Sequence, residues 1–125
     1  RRRAICERYQ AAFSSDERFV EPVLMDEGRT SSFHLYMLRV REATEEQRDA
    51  IITAIAERGV SVNVHFQPLP LLSHYRDRGY AIGDVPNAYR QYAREISLPV
   101  YYDLSDDQVD QVITAVKEAV QEVLG

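Results

Sequence analysis

The sequence predicts a layered α/β fold, an α+β arrangement of two layers in which a small sheet of about three strands is packed by helices. The stretch Phe33–Val40 is apolar on both faces, as is typical of a central strand that is covered on both sides. A helix with strong start signals follows this strand, and the chain ends in another helix with a continuous valine stripe. A length of 125 residues suits one domain with a modest core.

The first predicted element is a helix over residues 1–13. Its apolar residues recur at helical spacing and are Ile5, Tyr9 and Phe13 or Ala12. The three arginines at its start are expected to face solvent, with pairing to a segment outside this chain as the alternative. Neither an initiator Met nor an N-cap residue precedes the helix. We therefore expect this chain to be a piece of a longer protein.

Two short features lead to the central strand. A short strand is predicted over residues 19–25, weakened by Pro22, and a turn over residues 26–29. His34 falls on the predicted central strand and is interpreted as a hydrogen-bonded packing residue. Arg39, further along the strand, could bind a carboxylate in a bidentate manner or form an ion pair with another domain, and the ion pair is favoured.

The helix after the central strand has a clear start and a clear end. Thr44 is predicted to cap it, and Gln47, three residues later, completes a capping box. Gly59 is predicted to end it in the left-handed conformation. The predicted buried stripe consists of Ile51, Ile52 and Ile55.

The segment Val60–Phe66 alternates with a period of two and predicts a half-buried strand that ends before Pro68. Strand, helix and strand with short connections would then form one supersecondary unit. The apolar face is predicted to point Phe66 inward, and the polar face to point His65 outward. The polar face consists of Ser61, Asn63, His65 and Gln67. It either meets solvent only or forms part of a binding site.

Three further elements are predicted before the last helix. A short helix covers residues 71–78, and Asp84 caps a following helix that has Pro86 in its first turn. The segment Ile96–Leu98 is a minor strand that ends at Pro99. The inner face of the second of these helices is predicted to consist of Ala88, Tyr89, Tyr92 and Ala93.

The last helix has a second capping box, formed by Ser105 and Gln108. Asp106 and Asp107 resemble a catalytic pair, but their position at the start of the helix explains them fully. The apolar stripe, which should pack on the sheet, consists of Val109, Val112, Ile113, Val116, Val120 and Val123.

Composition and charge exclude several classes of function. The net charge of −5 and the pI near 5.2 argue against nucleic-acid binding, which needs a basic face. Neither an apolar run of about 18 residues nor a signal-peptide pattern occurs. Cys6 is the one cysteine and forms no internal disulfide, which fits a reducing cytoplasm. One cysteine and three histidines match no zinc-binding spacing, so no metal is expected.

The chain has no motif of an autonomous catalyst. Neither a G-x-S-x-G elbow nor a glycine-rich phosphate loop is present. Cys6 lies among arginines that could lower its pKa, although an ordinary, partly buried cysteine is favoured. Lys117, the only lysine, lies beside the valine stripe and not in the dry, enclosed site that a Schiff-base lysine needs.

Four segments, taken in order, resemble the C-terminal small domain of the DegT-type sugar aminotransferases, which are pyridoxal-phosphate enzymes of fold type I. The resemblance covers nearly the whole chain, and the order and spacing of the segments carry it more than any one of them. The segments are Phe33–Val40; Arg58–Val60 running on to His65–Pro70; Tyr75 through Gly79 and Tyr80 to Gly83–Ala88; and Ile96–Tyr101 leading into Leu104 and Ser105.

The resemblance implies a division of the whole enzyme. Residues 1–13 would end an interdomain helix, and residues 14–125 would form the small domain. A large domain before this chain would hold pyridoxal phosphate and the catalytic lysine. The chain itself would then contain no catalytic or cofactor-binding residue and would be inactive alone. The full enzyme, a cytoplasmic homodimer with active sites at the subunit interface, would transfer an amino group from glutamate to a nucleotide-linked keto-sugar for surface polysaccharides or related glycans.

The resemblance also implies a substrate site. His65 would reach the mouth of the active site, with Phe66 at the position where many members of the family have tyrosine. Asn63 and Gln67 are weaker candidates for substrate binding. The alternative is a small non-catalytic module for ligand binding or dimerisation, since most of the secondary-structure pattern fits that class as well.

Overall fold

A three-stranded antiparallel sheet with long helices on one face organises the computed structural model, which describes all residues from 1 to 125. The predicted two-layer α/β fold is confirmed. The helices are α1 (Arg2–Phe13), α2 (Glu45–Glu57), α3 (Ser73–Arg76), α4 (Pro86–Tyr92) and α5 (Asp106–Leu124). The strands are β1 (Phe19–Val20), β2 (Met25–Asp26), β3 (Arg29–Thr30), β4 (Tyr36–Val40) and β5 (Glu95–Leu98). Single 3-10 turns precede α3 at Leu69–Leu71 and α4 at Ile82–Asp84.

The strands of the sheet lie in the order β1–β4–β5, and both pairs are antiparallel. β4 is therefore the central strand, as the sequence predicts. The register of β4 and β5 places Tyr36 opposite Leu98 and Arg39 opposite Glu95. The segment interpreted as a minor strand thus forms one edge of the sheet, and it ends before Pro99 as expected.

β4 and β5 present two different faces. The side chains that point toward the helices are buried, and these are Tyr36, Leu38, Val40, Ile96 and Leu98. On the opposite face Met37 is 39% exposed and Arg39 is half-buried. The prediction that the central strand is covered on both sides is therefore wrong, because α1, α2 and α5 all join the core on the same face.

The long helices follow the predicted caps. Thr44 and Ser105 each accept a hydrogen bond from the backbone N–H three residues on, and both capping boxes are complete. Gly59 follows α2 with φ of +75°, the left-handed conformation expected there. None of the helices combines the length and the apolar composition that a membrane span needs. The buried stripe residues are Ile5, Tyr9 and Phe13 on α1, Ile51 and Ile55 on α2, and Val109, Val112, Val116 and Val120 on α5.

The three N-terminal arginines are exposed, as predicted, and Arg1 and Arg3 form surface ion pairs with Asp106 and Glu7. The Nη2 atom of Arg1 lies 2.7 Å from the Oδ1 atom of Asp106. Cys6, further along α1, is buried and free. Burial raises the pKa of the Cys6 thiol to about 11 and outweighs the lowering by Arg2, so the favoured interpretation as an ordinary cysteine is confirmed.

The predicted strand over residues 60–66 does not form. Only Asn63 pairs with the sheet, through N–H···O bonds of 3.2 and 2.7 Å that it exchanges with Ser97. The next pair in this register would join the backbones of His65 and Glu95, but the His65 N–H donates to the Glu95 carboxylate at 2.8 Å. Because a side chain takes the donor that a ladder would use, the segment leaves the sheet after one bridge. The predicted strand–helix–strand unit is therefore wrong.

The approach to β4 also differs from its prediction. Phe33 has φ of +55°, which interrupts the extended backbone, so β4 begins only at Tyr36. His34 lies before the strand and is exposed, and its interpretation as a packing residue within a strand is wrong. The predicted strand over residues 19–25 is reduced to the two residues of β1. The predicted turn over residues 26–29 is confirmed as the β2–β3 hairpin.

Two helix predictions need smaller corrections. The helix predicted over residues 71–78 is shorter, because only Ser73–Arg76 is α-helical. Asp84 does not cap α4, since the residue at the cap position is Val85 and no side chain caps this helix. On α4 the predicted inner face is only partly correct, because Ala88 and Tyr89 are exposed.

Candidate functional site

The sheet face opposite the long helices forms one side of a cleft of about 530 Å³. Met37 and Arg39 of β4 and Glu95 of β5 line it. His65 and Phe66, from the segment that leaves the sheet, lie along the cleft beside them. Residues that follow β1 and residues of α4 close the remaining sides. Five separate elements and segments therefore build this cleft on the sheet face opposite the long helices.

His65 is held at two points. Its backbone N–H donates to the Oε2 atom of Glu95 at 2.8 Å. Its ring nitrogen Nδ1 lies 2.8 Å from the hydroxyl oxygen of Ser97. Since one contact fixes the backbone and the other fixes the ring, the position and the direction of the imidazole are both determined.

Glu95 and Ser97 are buried polar residues on the cleft face of β5. Their exposed fractions are 5% and 4%, and the Ser97 hydroxyl donates to the Oε1 atom of Glu95. Burial raises the pKa of the Glu95 carboxyl, and the hydrogen bonds from Ser97 and from the His65 N–H oppose this rise. Both carboxylate oxygens accept a hydrogen bond, as a buried acidic group requires.

The grouping of serine, histidine and glutamate does not form a nucleophilic triad. In such a triad the histidine lies between the nucleophile and the acid. Here Ser97 lies between His65 and Glu95, and its hydroxyl donates to the carboxylate. The serine oxygen is also buried. The arrangement is therefore suited to holding the imidazole beside the cleft, where a ligand can bind, and not to attack on a substrate.

Arg48 of α2 is buried next to the backbone of Tyr92 and Glu95, with only 2% of its surface exposed. Its Nη1 atom donates to the carbonyl oxygen of Tyr92 at 2.7 Å and to that of Glu95 at 3.4 Å. Its guanidinium carbon lies 4.7 Å from the centre of the Tyr92 ring, and its Nε atom donates to Asp49 at 2.7 Å. Arg48 thus joins α2 to the end of α4 and the start of β5.

The guanidinium group of Arg39 forms hydrogen bonds within this chain. Its Nη1 atom donates to the Oε1 atom of Gln91 on α4 at 2.6 Å, and its Nη2 atom lies 3.5 Å from the carbonyl oxygen of Glu21. No carboxylate binds its guanidinium group. The predicted ion pair of Arg39 with another domain stays a prediction.

The inward orientation predicted for Phe66 is wrong, because its ring is 75% exposed. The alternation holds for Val60, which is buried, but it fails once the segment has left the sheet. The ring centres of His65 and Phe66 lie 4.7 Å apart in a T-shaped arrangement. Val23, on the far side of the cleft, is 76% exposed. Phe66 and Val23 therefore add exposed apolar surface to a cleft that also has polar groups.

The four sequence-predicted site residues do not all meet. His65 and Phe66 line the cleft together. Asn63 does not line this cleft but lines a second depression that His65 and Ser97 also line, and Gln67 is exposed and lines neither. The outward position of His65 is also changed, because its ring contacts Ser97 and is half-buried.

The sequence reasoning missed Glu95, Ser97 and Arg48. Glu95 and Ser97 alternate with the apolar residues of β5, so a period-two reading that began one residue earlier would have placed them on one face. Arg48 lies three residues before Ile51 and thus within the apolar stripe of α2. A charged residue in such a stripe is a signal of a buried, paired group.

Known proteins resemble this chain over nearly its whole length. The profile of the DegT/DnrJ/EryC1/StrS aminotransferase family matches residues 1–117. SpsC from Bacillus subtilis (strain 168), a spore coat polysaccharide biosynthesis protein, is 40% identical over 124 residues, which cover 97% of this chain and 32% of SpsC. The chain thus spans about a third of the length of this relative.

Solved structures share the fold. Spr1654 from Streptococcus pneumoniae, assigned as a sugar aminotransferase, is 38% identical in its PMP-form, with a TM-score of 0.93 over 98% of this chain and 30% of Spr1654. A PLP-form of the same protein has a TM-score of 0.92. The aminotransferase TlmJ from Streptoalloteichus hindustanus is 31% identical, with a TM-score of 0.85 over 99% of this chain and 32% of TlmJ.

Proposed function

Since the chain belongs to the DegT/DnrJ/EryC1/StrS aminotransferase family, we propose that it is the C-terminal small domain of a longer sugar aminotransferase. Residues 1–13 end an interdomain helix in this proposal, and residues 14–125 form the domain. The share of about 30% that the chain covers in Spr1654 supports the proposal that it is one domain of a longer enzyme. The sheet face without long helices supports it as well, because the open cleft on this face is where a second domain can pack. Family membership also favours an aminotransferase domain over a non-catalytic module.

The cofactor of the proposed enzyme is pyridoxal phosphate, which supplies the electron sink and carries the amino group when bound. The residues of this chain do not suit its attachment. Lys117, the only lysine, lies on α5, where its Nζ atom is 5.9 Å from the centre of the Phe13 ring, and it does not line the cleft. The preceding domain therefore provides the lysine, and residues 1–125 alone should be inactive. Turnover by this chain alone would contradict the proposal.

The proposed role of this domain is to bind and orient the sugar. The imidazole of His65, held on two sides, faces the substrate together with the exposed ring of Phe66. Asn63 and Gln67 stay as secondary candidates. Closing the cleft against a second domain would exclude water and fix the substrate relative to the reacting group. The observation that carries the proposal is an imidazole held at two points in an open cleft on the sheet face opposite the long helices.

The finer identity of the reaction follows the family resemblance. The proposed amino donor is glutamate, and the acceptor is a nucleotide-linked keto-sugar whose product enters surface glycans. The description of SpsC as a spore coat polysaccharide biosynthesis protein supports this direction. The proposed enzyme is a cytoplasmic homodimer, and the one cysteine, free and buried, is compatible with a reducing compartment.

The variant His65→Ala in the full-length protein tests the role of the imidazole. We expect kcat/KM for the sugar to fall by about five- to thirteenfold, since one lost hydrogen bond of roughly 1–1.5 kcal/mol corresponds to that range. The absorbance band of the bound cofactor should not change. His74→Ala is the matched control, because His74 is exposed on α3 and does not line the cleft. Equal kinetics for wild type and His65→Ala would remove His65 from the site.

A further inference from the structure

The hydrogen bonds around Glu95 determine where the protons lie. A backbone N–H can only donate, so the His65 N–H occupies the Oε2 atom of Glu95 as a donor. A serine hydroxyl has one hydrogen, and that of Ser97 is directed to the Oε1 atom of Glu95. The side of the Ser97 oxygen that faces the His65 ring therefore offers only lone pairs. A hydrogen bond of 2.8 Å between this oxygen and Nδ1 requires the hydrogen to lie on Nδ1.

We propose that Glu95 and Ser97 are positioning residues that hold His65 in the Nδ1–H tautomer, so that its Nε2 atom offers a lone pair to the ligand in the cleft. Glu95 fixes the direction of the Ser97 hydroxyl, and Ser97 fixes the tautomer of the ring. This is the kind of indirect control in which the partner of one ring nitrogen decides the state of the other.

Burial protects the arrangement from exchange with water. Glu95 is 5% exposed and Ser97 is 4% exposed, so solvent has little access to either group. Arg48 approaches this region through the backbone carbonyl of Glu95 and not through its carboxylate. The carboxylate of Glu95 therefore accepts hydrogen bonds only from the Ser97 hydroxyl and the His65 N–H.

The tautomer has a consequence for the ligand, and this step rests on the proposed function. A neutral imidazole with its hydrogen on Nδ1 accepts a hydrogen bond at Nε2 and cannot donate one there. The complementary group on a sugar is a hydroxyl that donates its hydrogen. The cleft therefore selects a substrate with a free hydroxyl at the position next to His65, and it disfavours one with a carbonyl or an ether oxygen there.

Glu95→Gln is a sharp test because it keeps the shape of the side chain and changes one acceptor into a donor. The amide oxygen can still accept from the His65 N–H, so the NH₂ group takes the place of Oε1 and donates to the Ser97 oxygen. The Ser97 hydrogen is then free to turn toward Nδ1. The variant should therefore convert His65 into the Nε2–H tautomer.

Nitrogen-15 NMR of the imidazole rings in the 125-residue chain reads the tautomer directly, at a pH above about 8 where imidazole is neutral. Long-range proton–nitrogen correlations should show a protonated Nδ1 for His65 in the wild type and a protonated Nε2 in Glu95→Gln. His34 and His74 are exposed and serve as internal controls that should not change between the two proteins. Ser97→Ala should lose the fixed Nδ1–H state.

The wild-type spectrum alone can overturn the proposal, since an Nε2–H tautomer of His65 there contradicts it even when the Gln variant does not fold. An unchanged tautomer in a folded Glu95→Gln variant contradicts it as well. In the full-length enzyme, Glu95→Gln should raise KM for the sugar by about tenfold, the effect of one hydrogen bond. If the tautomer changes and the kinetics do not, the control of the ring by Glu95 and Ser97 stands, and the contact of His65 with substrate is refuted.

Discussion

The two faces of the same strands differ in what they contain. On β4, Leu38 points toward the helices and is fully buried, whereas its neighbour Met37 points to the cleft and is 39% exposed. On β5, Ile96 joins the apolar core, whereas Glu95 and Ser97 form hydrogen bonds on the cleft side. One face is thus built from apolar side chains, and the other combines exposed apolar surface with buried polar groups.

This difference separates stability from binding within one small sheet. The helix-covered face gains its free energy from burying apolar area, which needs only the correct pattern of residue types. The cleft face buries a carboxyl and a hydroxyl, which is tolerated only when each has hydrogen-bond partners. We therefore expect substitutions on the covered face to lower the free energy of unfolding, and substitutions on the cleft face to act mainly on the ligand site.

The largest expected effect comes from a matched pair on β4. Leu38→Ala should lower the free energy of unfolding by about 2–5 kcal/mol, because it leaves a cavity in a closed core. Met37→Ala, one residue away on the cleft face, should cost less than about 1 kcal/mol, because this side chain is already exposed to solvent. Urea unfolding of both variants measures the difference. Similar losses in the two would show that the cleft face is packed as tightly as the core.

An intermediate effect is expected at Arg48, which lies between the two regions. Arg48→Met should lower the free energy of unfolding by about 1–3 kcal/mol, because the carbonyl oxygens of Tyr92 and Glu95 lose a charged donor. Arg90→Met on α4 is the control. Arg90 is exposed and donates one side-chain hydrogen bond, to Asn87 at 3.0 Å, so its replacement should change stability by no more than about 0.5 kcal/mol. Equal stability of wild type and Arg48→Met would mean that the hydrogen bonds of Arg48 only offset the free-energy cost of burying its charge.

The covered side of the molecule could be predicted from the sequence because local patterns determine it. The capping boxes at Thr44 and Ser105 were predicted at the correct residues, and so were the apolar stripes of α1, α2 and α5, except that Ile52, Ile113 and Val123 are only partly buried. Each depends on residues that lie within one or two helical turns of each other. The central position of β4 followed in the same way from its apolar run.

The cleft side could be predicted only in part, because contacts between distant residues determine it. The alternation over residues 60–66 is genuine, but the Glu95 carboxylate, 30 positions away from His65, captures the N–H that would extend the ladder. Nothing local to His65 indicates this competitor, so both the strand and the orientation of Phe66 were predicted wrongly. His65 itself was placed in the site through the family resemblance, and the groups that hold it were found only in the structure.

The smallest expected effect is a pH dependence of opposite sign in the two regions. Burial raises the pKa of Glu95 above its ordinary 4.5, so the folded state disfavours the charged carboxyl. Its contribution to stability is fully present below pH 4.5 and is lost as the pH rises through the raised value. Glu95→Gln cannot ionise. The stability of this variant relative to wild type should therefore improve as the pH rises from about 4 to 7.

Asp106 at the start of α5 provides the opposite case. The guanidinium group of Arg1, 2.7 Å away, lowers the pKa of this exposed carboxyl below its ordinary 3.8. Its stabilising contribution is present above pH 3.8 and is lost as the pH falls through the lowered value, so Asp106→Asn should lose stability relative to wild type as the pH rises. Urea unfolding at several pH values compares both variants with wild type, and other carboxyl groups cancel in each difference. Trends of the same sign would mean that the Glu95 carboxyl is stabilised in its charged form, as on an ordinary surface, and that the cleft face does not hold it in a desolvated state.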